Sequence, residues 1–201
     1  GFCKELYSRS RKILLAQALI TFLLLGGLLI NADSLLDRWE SKLYADRIIF
    51  SEQSTYQKIV LTKWQDDLRL YLNGHLQFSS VDEHRYHEAL VHPAMELTSS
   101  RKRVLIIGGG DGLSVREVLK YEEVDQVDVV DLDPAVTKLA RRNVHVARLN
   151  EQALNNPKVT VINEDGFLFL QRAHLQYGVV LADLPDPREE ALAKLYSVEA
   201  Y

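Results

Sequence analysis

Asp183 and Asp186 stand three residues apart in the run Asp183-Leu184-Pro185-Asp186-Pro187. Two carboxylates at that spacing, in a loop stiffened by prolines, can hold an amine at a reacting centre and accept its proton. A third acid, Asp111, lies inside a glycine turn, where Val104–Gly112 reads V-L-I-I-G-G-G-D-G. A glycine turn after a strand lets backbone and ligand approach closely. A carboxylate within the turn makes it a poor home for a phosphate and suits a ligand that carries positive charge. Gly108, Gly110 and Gly112 give G-x-G-x-G, the spacing of folds that bind S-adenosylmethionine-type nucleosides. Leu113 occupies the slot where the dinucleotide fingerprint needs its third glycine, so that pattern fails. Asp131 follows the next apolar strand, about 20 residues past the turn, the distance at which a carboxylate meets a ribose diol. Asp165-Gly166 follows a further strand, placed for a carboxylate to accept from the exocyclic amine of adenine. Asp111 would then face an ammonium group.

A lone acid after a strand is ordinarily a helix N-cap. Here four strand ends in succession each deliver an acid to what would be one rim of a sheet. Clustered like charges destabilise a fold unless a cation or a hydrogen-bonding ligand offsets them.

These residues need a scaffold, and the patterning supplies one. From Arg103 onward, apolar strands (103–107, 126–130, 158–162, 178–182) alternate with helical segments (114–121, 134–143, 166–172). Pro134 suits a first helical turn. That alternation predicts an α/β fold with a doubly wound parallel sheet, which the G-x-G-x-G turn marks as the S-adenosylmethionine-dependent transferase type. Ligands of such sheets bind beyond the carboxyl ends of the strands. Upstream, strands over 56–64, 67–72 and 75–78 flank Asn73-Gly74, a strong hairpin-turn signal. A helix over Val81–Leu97 follows, with Asp82 as N-cap.

Ile13–Ala32 carries no charge and is preceded by Lys4, Arg9, Arg11 and Lys12. A run of this length predicts a transmembrane helix, and an amphipathic helix over Asp33–Tyr44 would link it to the rest. The expected organisation is a basic flank and membrane helix (1–32), a linker helix (33–54), a small antiparallel β domain (55–80), and a nucleoside-binding α/β catalytic domain (81–201). The chain starts at Gly1 and stops at Tyr201 in a motif-like stretch, which reads as a fragment truncated at its C-terminus. With 24 basic against 28 acidic residues the net charge is −4, which argues against a nucleic-acid partner. One cysteine, Cys3, excludes an internal disulfide. His84 and His87 have H-x-x-H spacing without H-E-x-x-H or a recognisable third ligand, so no metal is expected.

Taken together, Tyr56-Gln57, Leu72–Phe78 (LNGHLQF), Asp82–His92 (DEHRYHEALVH), Gly108–Gly112 with Arg116-Glu117, Asp131-Leu132-Asp133, Asp165-Gly166 and Asp183–Pro187 resemble the polyamine aminopropyltransferases, typified by spermidine synthase. The set is far more specific than any member. The resemblance spans roughly 56–201, and the hydrophobic segment ahead of it looks like the last span of membrane-attached members. It implies transfer of an aminopropyl group from decarboxylated S-adenosylmethionine, a co-substrate rather than a cofactor, to putrescine. The products would be spermidine and methylthioadenosine. It implies Asp183 as the proton acceptor, Asp186 and Tyr86 as positioners of the amine, Gln57 on the nucleoside and His87 on the aminopropyl chain. Dimers are common in the family, so a homodimer is expected. The expected location is the cell membrane, with the catalytic domain on the cytoplasmic face. Two departures stand out: Leu113, where the family often has glycine, and Arg188-Glu189-Glu190, where many members carry a proline. Two other readings share the pocket: a methyltransferase using intact S-adenosylmethionine, and a non-catalytic membrane-anchored sensor of nucleoside or polyamine.

Overall fold

A computed structural model describes residues 2–30, 44–172, 176–184 and 197, with side chains from residue 14 onward. The chain divides into two compact units, Gly1–Arg47 and Ile48–Tyr201.

The first unit holds helix α1 (Phe2–Ile30). It begins well ahead of the expected membrane helix. The helix starts eleven residues ahead of Ile13, so Lys4, Glu5, Arg9, Arg11 and Lys12 belong to it. Ala32, where the expected span ends, lies outside the described residues. Among the described residues no helix is long and apolar enough to cross a membrane. The transmembrane assignment, the membrane as a partner and the cell-membrane location with a cytoplasmic-face domain are therefore withdrawn. The helix expected over Asp33–Tyr44 falls almost wholly on residues 31–43, outside the described residues.

The second unit opens with an antiparallel sheet of β1 (Arg47–Gln53), β2 (Lys58–Trp64), β3 (Asp67–Leu72) and β4 (His75–Ser79), in that spatial order. β1 lies within the segment read as linker. Its apolar residues Ile48, Ile49 and Phe50 are contiguous rather than alternating, so the period-2 signal of a half-buried strand is missing. The Asn73-Gly74 turn has φ of 50° and 78° at its two residues, the left-handed pair that a tight hairpin requires. A register shift at Leu70/Tyr71 bends the β3–β4 ribbon.

Helix α2 (Glu83–Leu97) leads into the parallel sheet. It buries Glu83, His87, Val91 and Met95, a strict four-residue stripe. Half of that stripe is polar, and the polar half belongs to the site. Asp82 occupies the N-cap position without a side-chain cap hydrogen bond.

The parallel strands β5 (Arg103–Gly108), β6 (Gln126–Val130), β7 (Val159–Ile162) and β8 (Val179–Asp183) lie in the order β7-β6-β5-β8. The chain works outward from β5 through β6 to β7, then returns to the other side of β5. This reversal makes the β5/β8 boundary the topological switch point, where a crevice opens for ligand. In β5, Val104, Leu105, Ile106 and Ile107 are all buried, at roughly 1.5–3 kcal/mol of burial each. That anchorage makes the following turn a rigid platform. Helices α3 (Leu113–Val118), α4 (Pro134–Arg142), α5 (Val144–Leu149) and α6 (Gly166–Arg172) connect the strands. Asp133 caps α4 by accepting from Ala135 N, and Asn143 caps α5. The polar stretch 150–157 contains a short 3-10 turn, Ala153–Asn155.

Candidate active site

The glycines are cut to fit two aspartates. Gly108 pairs with Asp183 across the β5–β8 ladder. It has φ +81°, and a Cβ there would lie 2.0 Å from the Asp183 carbonyl oxygen. Gly109 N donates to that same oxygen at 3.1 Å. Gly110 serves Asp131 instead. A Cβ on it would come within 2.4 Å of Asp131 Oδ2, and its N–H donates to that oxygen at 3.0 Å. The turn therefore gathers the ends of β5, β6 and β8 into one place.

Asp111 projects from this turn. Its Oδ1 accepts from Leu113 N at 2.9 Å, and its carbonyl accepts from Asn150 Nδ2 at 2.8 Å. A ring nitrogen of His87 and one carboxylate oxygen each from Asp111 and Asp183 all lie within 4.8 Å of one another. Burial, reinforced by the charge of Asp183, pushes Asp111 up to about 6. Burial likewise pushes Asp131 up to about 6, against the Asp133 and Gly110 N–H groups that favour its charged form. A cation placed among these groups relieves the repulsion, whether it is a metal ion or a protonated amine.

His87 is held from behind. Its Nδ1 lies 2.8 Å from the Glu83 carbonyl and 2.9 Å from Glu83 Oε2. Two acceptors on one nitrogen make Nδ1 the protonated one. Burial disfavours the imidazolium, but the Glu83 hydrogen bond and the charges of Asp111 and Asp183 outweigh it and raise the His87 pKa. Glu83 in turn receives both Arg116 terminal nitrogens, at 2.8 and 3.0 Å, while Arg116 Nε reaches Glu117 at 2.9 Å. Burial would raise the Glu83 carboxyl; the bonds from His87 and Arg116 overcome that and hold it at about 2.

The remaining site candidates fall around this centre. Tyr86 is half exposed and sets its ring edge-to-face on His87, centroids 5.1 Å apart. Gln57 does not meet Asp131 directly. Its Nε2 donates at 3.0 Å to Asp133 Oδ2, which also accepts from Ser54 Oγ at 2.6 Å. Asp133 N donates to Asp131 Oδ1 at 2.9 Å, so Gln57 is linked to that acid through one residue. Asp165 caps α6, accepting from Phe167 N at 2.8 Å and Leu168 N at 3.3 Å through Oδ1. Gly166, at the start of α6, is buried. Asp186 lies outside the described residues. His84 is exposed while His87 is buried, so the H-x-x-H pair is split between two environments. A second cluster, Glu88, His92 and Glu117, has ligand-like spacing, but Glu117 is already paired with Arg116 and Lys120. Glu83 and Ser114 carry no role in the sequence reading. Glu83 was legible only as an acid in a first helical turn.

Residues 83–201 match the family described as spermine/spermidine synthase domain, more than half of the chain. A polyamine aminopropyltransferase of Oceanobacillus iheyensis is 54% identical over 182 residues, 90% of this chain and 35% of the relative. One of Leptospira interrogans is 48% identical over 193 residues, 94% of this chain and 38% of the relative. The chain thus spans little more than a third of the length of these curated relatives. Among solved structures, a spermidine synthase in complex with the transition state analogue AdoDATO superposes with TM-score 0.72 at 31% identity, over 77% of this chain and 52% of that one. Spermidine synthase from Thermotoga maritima gives 0.69 at the same identity, over 77% and 51%. With its antiparallel sheet, its parallel sheet and its acid-lined switch point, the chain belongs to the spermine/spermidine synthase domain family.

Proposed function

We propose that the protein transfers the aminopropyl group of decarboxylated S-adenosylmethionine to putrescine, forming spermidine and methylthioadenosine. One observation carries the reading: His87, Asp111 and Asp183 converge within 4.8 Å at the β5/β8 switch point. Asp111 receives the donor's terminal ammonium. A donor that kept its carboxylate would meet a like charge there, and two unit charges at ~4 Å in an effective dielectric of ~20 repel by about 4 kcal/mol. Solvent screening at this half-open site reduces that figure, yet even half of it discriminates more than tenfold. This is selectivity by repulsion.

Asp131 takes the ribose hydroxyls, and Gly108 and Gly110 serve the donor by letting Asp183 and Asp131 close on the turn. Asp165-Gly166 closes on the adenine, with the Asp165 oxygen not engaged in capping as acceptor. Gln57 braces the ribose wall through Asp133. His87 lines the aminopropyl chain. Tyr86 and Asp186 steer the diamine, and Asp183 accepts the proton that the attacking nitrogen sheds. The amine then displaces the thioether from the sulfonium. Holding both reactants in one crevice supplies much of the rate through orientation. In this reading the small β domain and the α/β domain act together as the catalytic body.

The test is to incubate the purified protein with putrescine and either decarboxylated or intact S-adenosylmethionine, and to assay methylthioadenosine, spermidine and S-adenosylhomocysteine. Methylthioadenosine and spermidine in equal amounts from the decarboxylated donor are expected. S-adenosylhomocysteine from the intact donor would establish a methyltransferase instead. Donor binding without any product would establish a sensor.

A further inference from the structure

Ser114 is the second residue of α3 and is fully buried. A serine hydroxyl in that setting must find a partner, since leaving it unsatisfied costs on the order of 1–3 kcal/mol. Its partner is not the α3 backbone. Ser114 Oγ donates to Asp183 Oδ2, the carboxylate across the switch point. The same oxygen is walled on another side by Gly109, where a Cβ would stand 2.9 Å away. The Asp183 backbone is fixed as well, by its ladder pairing with Gly108 and by the Gly109 N–H on its carbonyl. Main chain and one carboxylate oxygen are thus both held by residues 108–114.

We propose that Ser114 is a positioning residue for Asp183: its hydroxyl pins Oδ2, so that Oδ1 is the oxygen that faces the acceptor amine. A carboxylate is planar, so fixing one oxygen and the Cα fixes the direction of the other. Without the pin, rotation about the Cβ–Cγ bond exchanges the two oxygens and spreads the proton-accepting lone pair over several orientations. Catalytic groups are effective when their rotamers are locked by neighbours, and proton transfer needs the acceptor within hydrogen-bond reach of the attacking nitrogen. The inference rests on the aminopropyl-transfer reading. In that step the amine nitrogen forms a bond to the aminopropyl carbon. The carbon–sulfur bond breaks, its electron pair returning to sulfur to give the neutral thioether, and the proton lost from nitrogen passes to Asp183 Oδ1.

The experiment compares wild type, Ser114→Ala and Ser114→Thr by steady-state kinetics, calorimetry with decarboxylated S-adenosylmethionine, and thermal melting. Ser114→Ala is expected to lower kcat ~10-fold or more, to leave donor affinity within about twofold, and to keep the wild-type melting temperature to within a few degrees. Ser114→Thr keeps the hydroxyl and is expected to recover most of kcat. An alanine variant with wild-type kcat overturns the proposal, and so does a loss of the same size in both variants. A wild-type protein that binds donor but makes no spermidine overturns the aminopropyl-transfer reading itself, and the role of Ser114 falls with it. The two failures are told apart by the wild-type assay alone.

Discussion

His87 Nδ1 sits between two oxygens of a single residue, the Glu83 carbonyl at 2.8 Å and the Glu83 carboxylate at 2.9 Å. The two residues are one helical turn apart on α2, so the contact is built into the helix and needs no tertiary accident. Arg116 then locks Glu83 from α3. The result fixes which imidazole nitrogen carries the proton and which one looks toward Asp111 and Asp183.

Glu83→Gln tests this chain of contacts. It removes the charge that both His87 and Arg116 face and leaves Arg116 with a weakened set of partners in a buried setting. Breaking a buried pair on one side costs about 3–5 kcal/mol, so a clear drop in melting temperature is expected, with kcat reduced. Adding Arg116→Met removes the unbalanced cation but also takes a partner from buried Glu117. The double variant is expected to regain at most part of the stability and none of the turnover, as read by denaturant titration and steady-state assay.

The same residue sets an acid limit on the fold. Glu83 is held at about 2 against an ordinary 4.5. Its folded-state pKa is depressed, so its contribution to stability is present above pH ~4.5 and is lost as pH falls toward 2. A melting series from pH 5 to pH 2 should show a steeper decline in wild type than in Glu83→Gln.

Asp111 and Asp131 have the opposite sign. Both are raised from 3.8 to about 6, so the folded state holds protons that the unfolded state has released. Stability therefore falls as pH rises from about 4 to about 6. Asp111→Asn is expected to flatten that fall, and to melt higher than wild type at pH 8 while losing affinity for the donor. Equal melting of the two proteins at pH 8 would argue against a crowded acidic centre.

Two glycines separate stability from binding. Gly108→Ala puts a methyl 2.0 Å from a backbone oxygen at φ +81°, so neither backbone strain nor contact can relax cheaply. It is expected to destabilise the protein by several kcal/mol. In Gly110→Ala the methyl meets the Asp131 carboxylate, a side chain rather than backbone, at a glycine without a positive φ. A smaller loss of stability is expected, with weaker binding of methylthioadenosine by calorimetry.

Sequence patterning put the acids at one rim because a strand followed by an acid recurs from β5 to β8, each signal local to a few residues; the order β7-β6-β5-β8 that makes β5/β8 the switch point is set by tertiary packing and was not legible. Asp131 and Asp183 lie at the strand ends where that pattern puts them, and Gly108 and Gly110 explain themselves by what a Cβ would hit. Asp165 is different. An acid that caps a helix and an acid that meets adenine look alike in sequence, and here the capping bonds are in place on Oδ1. The bond from Gln57 to Asp133 had no signal in the sequence, because partners 76 residues apart are set by packing of the β1–β2 turn. β1 itself lacked alternation, and α5 is missing from the sequence reading: the expected helix ends at Asn143, the residue that caps α5. Glu83 and Ser114 escaped notice because their roles are defined by what they touch, His87 and Asp183, and not by spacing. The expected membrane helix is not borne out: among the described residues no helix is long and apolar enough to cross a membrane.

The central claim is that Asp111 selects a donor with an ammonium tail and no carboxylate. Its most direct test is calorimetric titration of wild type and Asp111→Asn with decarboxylated and intact S-adenosylmethionine at pH 8. Wild type is expected to prefer the decarboxylated donor by roughly 10–100-fold, about 1.4–2.7 kcal/mol, and the asparagine variant to lose most of that preference. Equal affinity of wild type for the two donors, or a preference that survives in Asp111→Asn, would contradict the account.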